Sequence, residues 1–170
     1  MNTDSLINLF ATLHTLGAIL GVGTVTFAEI FYNTAASDGI IDHHERKYLR
    51  ELFHGLRFGM ILVLLSGVAL VVLEYLVPDA PQLVLEAPFW ALMTCTVIVI
   101  GLSSMLVQKT APWRIASSGI LVGWWFILLL DLGYMNSLGY VSCMLLYVLT
   151  SAVVTAILGY AQMLLKKKTT

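Results

Sequence analysis

The sequence predicts an all-α integral membrane protein in which five transmembrane helices form one bundle. Hydrophobic residues make up 59% of the 170-residue chain and charged residues only 11%, and the mean hydropathy is +0.89. A typical soluble domain has about 25% charged residues. A helix crosses a bilayer core with about 20 apolar residues, and five stretches of this chain approach or exceed that length. Residues 1–170 are therefore expected to be a single transmembrane domain.

Turn and proline signals separate the predicted spans. Asp38-Gly39 indicates a turn after the first span, and the prolines at positions 78 and 81 end the second, because proline cannot continue a helix. Asn136 to Gly139 is a short connection before the last span. The spans are predicted at about residues 6–33, 54–76, 88–107, 115–132 and 140–165.

The second span is predicted to belong to a longer helix with an amphipathic start. Asp42 and Glu45 have the spacing of a capping box, which begins a helix. Nothing breaks the pattern before the second span, so one helix is expected from about His43 to Leu76. Its first turns are expected to lie in the cytoplasmic headgroup region, since one face is apolar and the others are charged.

The basic residues predict the orientation of the bundle. With five spans, all nine Lys and Arg residues fall on one side: Arg46, Lys47, Arg50, Arg57, Lys109, Arg114, Lys166, Lys167 and Lys168. Basic residues near membrane helices stay preferentially in the cytoplasm. The N-terminus is therefore expected outside and the C-terminus inside.

His14 is the first candidate for a functional residue. It lies about 12 Å along the first span, at 1.5 Å per residue, which places it in the outer leaflet. Gly17 and Gly21 share its helix face and form a small-residue groove that another helix or a flat ligand can approach closely. Two interpretations stay open: a hydrogen bond across a helix interface, and ligation of haem or a metal ion.

Further polar and sulfur side chains fall at the depth of His14 by residue counting. They are Glu74 on span two, Met93 and Cys95 on span three, Asp131 on span four, and Cys143 and Met144 on span five. Imidazole, thioether and thiol groups together suit copper(I). Ordinary packing of Met and Cys, and interfacial positions for Glu74 and Asp131, are the alternatives.

Glu29 and Arg57 are predicted at one depth near the cytoplasmic boundary. Glu29 lies near the exit of span one and Arg57 near the entry of span two. A structural ion pair is expected, with a proton or anion stop as the alternative.

The segment HTLGAILGVG, from His14 to Gly23, resembles the first span of a group of small bacterial membrane proteins. The group includes copper-resistance protein D-like proteins and HemJ-type protoporphyrinogen oxidases, and the likeness extends to Ser66-Gly67, over about residues 9–75. The resemblance implies a bacterial inner-membrane location and haem ligation by His14. In HemJ-type proteins a later intramembrane lysine is associated with activity, and spans three to five here contain no lysine.

Three functional hypotheses follow. The first is b-type haem bound through His14, for electron transfer or porphyrin chemistry, with Met93 as second ligand or with haem shared by two copies across Gly17 and Gly21. The second is a small transporter or copper-handling protein, and the third an accessory subunit that binds a partner helix. The expected partners are the bilayer and a second copy or a membrane subunit. No motif indicates nucleic-acid binding or a phosphate loop.

Overall fold

The computed structural model describes residues 3–35, 43–77, 83–108 and 110–169, and within these ranges it is all helical. The helices are α1 (Thr3–Ala35), α2 (His43–Leu76), α3 (Ala87–Val107), α4 (Trp113–Asp131) and α5 (Tyr140–Thr169), with a 3-10 turn at Leu83–Leu85. Each of the five is long and apolar enough to cross a membrane. The prediction of an all-α protein with five candidate membrane spans is confirmed.

The helix boundaries follow the sequence signals. α2 runs unbroken from His43 to Leu76, as predicted, while its expected capping residue Asp42 lies outside the described residues. α3 begins with proline in its first turn, where a missing amide hydrogen has no cost. α4 is followed by Gly133 at φ 77°, a left-handed conformation that glycine adopts without strain and that turns the chain toward α5.

α4 is the central helix of the bundle. Its apolar stretch is 67% buried inside the protein, compared with 11–28% for the other four helices. It packs against α1, α3 and α5, whereas α2 packs mainly against α1. The residues that face α4 are therefore the ones that decide which polar groups meet in the interior.

Gly17 makes the contact between α1 and α2 possible. A Cβ atom at Gly17 would lie 2.9 Å from Leu62 Cβ and 3.1 Å from the carbonyl oxygen of Gly59. A Cβ at Gly59 would in turn lie 3.0 Å from the carbonyl oxygen of Gly17. The two backbones touch at this level, so the small-residue face of α1 is used to pack α2.

Gly21 accommodates the indole of Trp124, the largest fully buried side chain. A Cβ at Gly21 would lie 2.0 Å from Trp124 Cζ3. The expected role of Gly17 and Gly21 as a groove for a flat cofactor or for a second copy is thus corrected. Helices of the same chain fill that groove, and a homodimer would have to use another face.

A candidate cation site between His14 and Asp131

The candidate site is a cavity of about 180 Å³ at the end of the bundle where α1 begins and α4 ends. Helices α1, α2, α3 and α4 and the segment after α4 all contribute to its wall. The lining side chains that can bind or attract a ligand are His14, Glu86, Met93, Asp131 and Asn136. Among these are His14, Met93 and Asp131, which the sequence placed at one depth.

His14 is held on the cavity wall by α2. It is 5% exposed, and its Nδ1 lies 3.1 Å from Ser66 Oγ. Gly67 leaves room for the ring, since a Cβ there would lie 3.3 Å from His14 Cε1. Because Ser66 and Gly67 fix one edge of the imidazole, the other edge and its Nε2 turn toward α4.

Asp131 faces His14 from the last turn of α4. Its Oδ1 lies 3.7 Å from His14 Nε2, and its Oδ2 accepts a hydrogen bond of 2.6 Å from Thr15 Oγ1. Thr15 fixes the rotation of the carboxylate, so Oδ1 points to the imidazole. Helices α1, α2 and α4 thereby hold His14 Nε2 and Asp131 Oδ1 at a defined separation.

Glu86 and Asn136 line the cavity where it opens, and the sequence did not single them out as site residues. Glu86 immediately precedes α3, Asn136 lies in the turn after α4, and both are exposed. Thr15 and Ser66 also lie outside the predicted site. Thr15 is adjacent to His14 in the sequence, whereas Ser66, Glu86 and Asn136 lie more than one helical turn from every predicted site residue, and packing brings them to the site.

The other residues that the sequence placed at the depth of His14 lie outside this cavity. Cys95 and Cys143 are fully buried neighbours in the core, and Met144 packs against that core. Glu74, in the last turn of α2, is not among the described residues that line the cavity. None of these residues is among the described ones that line the cavity with His14. Glu74 also lies about two helical turns beyond Ser66, the α2 residue that contacts His14.

The predicted Glu29–Arg57 ion pair is not formed between the side chains that the structure describes. Glu29 is buried, accepts a hydrogen bond from Asn33 of its own helix, and lines a small cavity together with Ser117 of α4. Arg57 is exposed and lines a different groove, between α2 and α3. The two residues lie on faces of their helices that point in different directions, which depth counting cannot detect.

The separation of His14 Nε2 and Asp131 Oδ1 suits two ligands of one metal ion. The 3.7 Å between them is longer than a hydrogen bond. A metal about 2.1 Å from each of two ligand atoms, near the tetrahedral angle, holds them about 3.4 Å apart. In the described ranges no group of three or more His, Cys, Asp and Glu side chains is close enough to hold a metal. The described geometry therefore brings together one imidazole nitrogen and one carboxylate oxygen, and any further ligands would have to be of another kind.

Haem fits the cavity beside His14 less well than a single metal ion does. The cavity of about 180 Å³ is smaller than the roughly 300–1,000 Å³ of ordinary ligand pockets. His14 Nδ1 is engaged by Ser66, and Nε2 faces a carboxylate instead of open space. An iron porphyrin would require the helices around His14 to separate.

No protein-family model matches this chain, and no curated protein and no solved structure gives a significant match. The resemblance to copper-resistance protein D-like and HemJ-type proteins therefore stays a prediction.

Proposed function

We propose that this multi-span protein is a small transporter or cation-handling protein that binds one transition-metal ion, with copper as the best match, between His14 and Asp131. The observation that carries the proposal is the 3.7 Å separation of imidazole Nε2 and carboxylate Oδ1 on the wall of a cavity. Met93 lines the same cavity and offers a thioether, a ligand that favours copper(I). A site with so few protein ligands releases its ion readily, which suits transfer better than storage.

The site is proposed to open on the outer side of a bacterial inner membrane, with the N-terminus outside and the C-terminus in the cytoplasm. The segregation of the nine basic residues supports this orientation. Single cysteines introduced at Asn136 and Thr110, both exposed, test it with a membrane-impermeant thiol reagent. Labelling of intact cells at position 136 and not at 110 is expected, and the reverse pattern would refute the orientation.

Metal binding is tested on the detergent-purified protein by titration with copper(I) under reducing conditions and, separately, with zinc(II). One ion per chain is expected, and His14→Ala should abolish binding because it removes the imidazole ligand of the proposed site. Met93→Leu keeps the volume of the side chain and should weaken copper(I) binding while leaving zinc(II) nearly unchanged. Affinity should fall as the pH is lowered, since protons compete with the metal for imidazole.

Glu74→Gln is the matched control, because Glu74 is an acid near the same membrane surface that does not line the cavity. It should bind the metal as the unmodified protein does. Equal binding by the unmodified protein and His14→Ala would refute the proposal, and so would the absence of any binding, which the accessory-subunit hypothesis predicts. A Soret absorbance band that disappears in His14→Ala would instead support haem.

A further inference from the structure

A second acidic group lies in the α1–α4 interface, toward the opposite end of the bundle. Glu29 is 8% exposed, and its Oε1 accepts a hydrogen bond of 3.0 Å from Asn33 Nδ2. Ser117 of α4 lines the same small cavity as the carboxyl group. No basic side chain pairs with Glu29 within the described part of the chain.

The surroundings of Glu29 favour its neutral form. A buried carboxylate without a cationic partner is costly, so such groups take up a proton or bind a cation. The residues of α2 and α3 that line its small cavity are apolar: Leu49, Phe53 and Leu106. Tyr32 and Arg114 are the ionisable groups nearby, and the Arg114 Nε atom donates to Gln162 Oε1 at 2.9 Å on the exposed side.

The cavity beside Glu29 has the dimensions of one water molecule. Its volume is about 30 Å³, and it is lined by Glu29, Ser117 and Trp113. A cavity holds a water when it offers about 10–15 Å³ and two or more polar partners. Trp113 Nε1 is buried and has no hydrogen-bond partner among the described residues, so the carboxyl, the hydroxyl and this N–H can all contact a water at this position.

Three contacts at regular intervals connect this site with the His14–Asp131 site. Thr15 meets Asp131, Gly21 meets Trp124, and Glu29 meets Ser117. On α4 these partners are seven residues apart, or about 10 Å, and lie on one helix face. The two acidic groups therefore lie along one line of the α1–α4 interface, about 20 Å apart along the helices.

Trp124 lies midway between the two acidic groups, and its ring fills the α1–α4 interface there. It is 0% exposed, and its ring fills the space left by Gly21. Its Nε1 is buried without a hydrogen-bond partner in the described ranges. An unpaired buried N–H is unfavourable in an apolar interior, so this position has a polar group in the middle of an otherwise apolar interface.

We propose that Glu29 binds an exchangeable proton and that the α1–α4 interface is a proton path between Glu29 and the Asp131 end, closed by Trp124 in the conformation described. The proton enters as the carboxyl O–H bond of Glu29 forms, and it leaves to water when that bond breaks. Such a path would couple proton movement to the proposed cation site, but neither experiment below measures metal binding. Failure of one proposal is therefore distinguishable from failure of the other.

Infrared spectroscopy of the unmodified protein tests the proton site without any risk of misfolding. At neutral pH a C=O stretching band of a carboxylic acid is expected, shifted after transfer to D₂O because the proton exchanges. The band should be absent in Glu29→Gln and retained in Glu86→Gln. Absence of the band, its persistence in Glu29→Gln, or lack of a shift in D₂O would overturn the proposal.

Proton uptake by liposomes with an internal pH-sensitive dye and an imposed potassium potential tests the path. Trp124→Ala should take up protons several-fold faster than the unmodified protein, and the added change Glu29→Gln should remove the increase. Trp125→Ala is the matched control, since Trp125 is the next residue and is 44% exposed on the outer surface of the bundle. A folded Trp124→Ala protein without faster uptake, or with faster uptake that survives Glu29→Gln, would overturn the path. If Trp124→Ala does not fold, Trp124→Leu replaces it with the same criteria.

Discussion

The two ends of the α1–α4 interface present two different solutions to the burial of an acid. Asp131 faces an imidazole and accepts a hydrogen bond from Thr15, beside a cavity of about 180 Å³ that is partly lined by exposed residues. Glu29 has only neutral donors and a cavity of about 30 Å³. The first arrangement provides two ligand atoms and room for an ion, and the second provides room for a proton and one water. The roles proposed for the two carboxyl groups on the same helix interface therefore differ because their partners differ.

The largest expected effect comes from breaking the Gly21–Trp124 contact, which lies between the two sites. Gly21→Leu places a side chain where the ring of Trp124 lies, 2.0 Å from the new Cβ. Because both positions are buried, the interface must shift, at a cost of about 1–3 kcal/mol or more. We expect a clear fall in the thermal unfolding midpoint in detergent and loss of metal binding.

Gly23→Leu is the control for this change, since no described atom beyond the local backbone of α1 lies within 4 Å of a Cβ at Gly23. It makes the same substitution two residues along α1 and should leave both stability and metal binding nearly unchanged. Equal destabilisation by the two variants would show that the helix itself resists leucine, and that the Gly21–Trp124 contact is not the cause.

A smaller effect on metal affinity should distinguish Asp131 from Glu29. Asp131→Asn keeps the shape of the side chain but removes the charged oxygen that is proposed to bind the metal. It should weaken metal binding by at least the roughly 10–100-fold that loss of a hydrogen-bonded partner of a ligand causes. Glu29→Gln should leave metal affinity unchanged. Isothermal titration of both variants measures the difference, and equal losses would contradict the assignment of the ion to the Asp131 end alone.

The sequence predicted where the helices begin and end better than it predicted which way their side chains face. Span lengths follow from hydropathy, and the unbroken start of α2 at His43 follows from the amphipathic pattern. Residue counting also placed His14, Met93 and Asp131 at one level, and all three line one cavity. Depth along a helix is fixed by the rise per residue, which is independent of the neighbours.

Rotation about the helix axis depends on packing partners that the sequence does not specify. Met93 and Cys95 are two residues apart on α3, hence rotated by about 200°, and one lines the cavity while the other is in the core. The glycine face of α1 was recognised as a close-approach surface, but its partner is α2 and Trp124 of the same chain. Only the assembled bundle determines which helix takes that place.

The smallest expected effect concerns Glu29 and Arg57. Gly59 is buried against α1, and Arg57, two residues away, is rotated by about 200° from it and lines the α2–α3 groove. Glu29 faces α4 instead. A double-mutant cycle with Glu29→Gln and Arg57→Gln, measured by unfolding in detergent, should therefore be additive within about 0.3–0.5 kcal/mol.

The Thr15–Asp131 pair provides the positive control for that cycle, because its atoms are 2.6 Å apart. Thr15→Val and Asp131→Asn should show a coupling of about 0.5–3 kcal/mol, the range for residues in contact. Coupling of that size between Glu29 and Arg57 would mean that the two side chains meet in the membrane. Glu29 would then have a cationic partner that stabilises its charged form. A proton bound to its carboxyl group would no longer be expected.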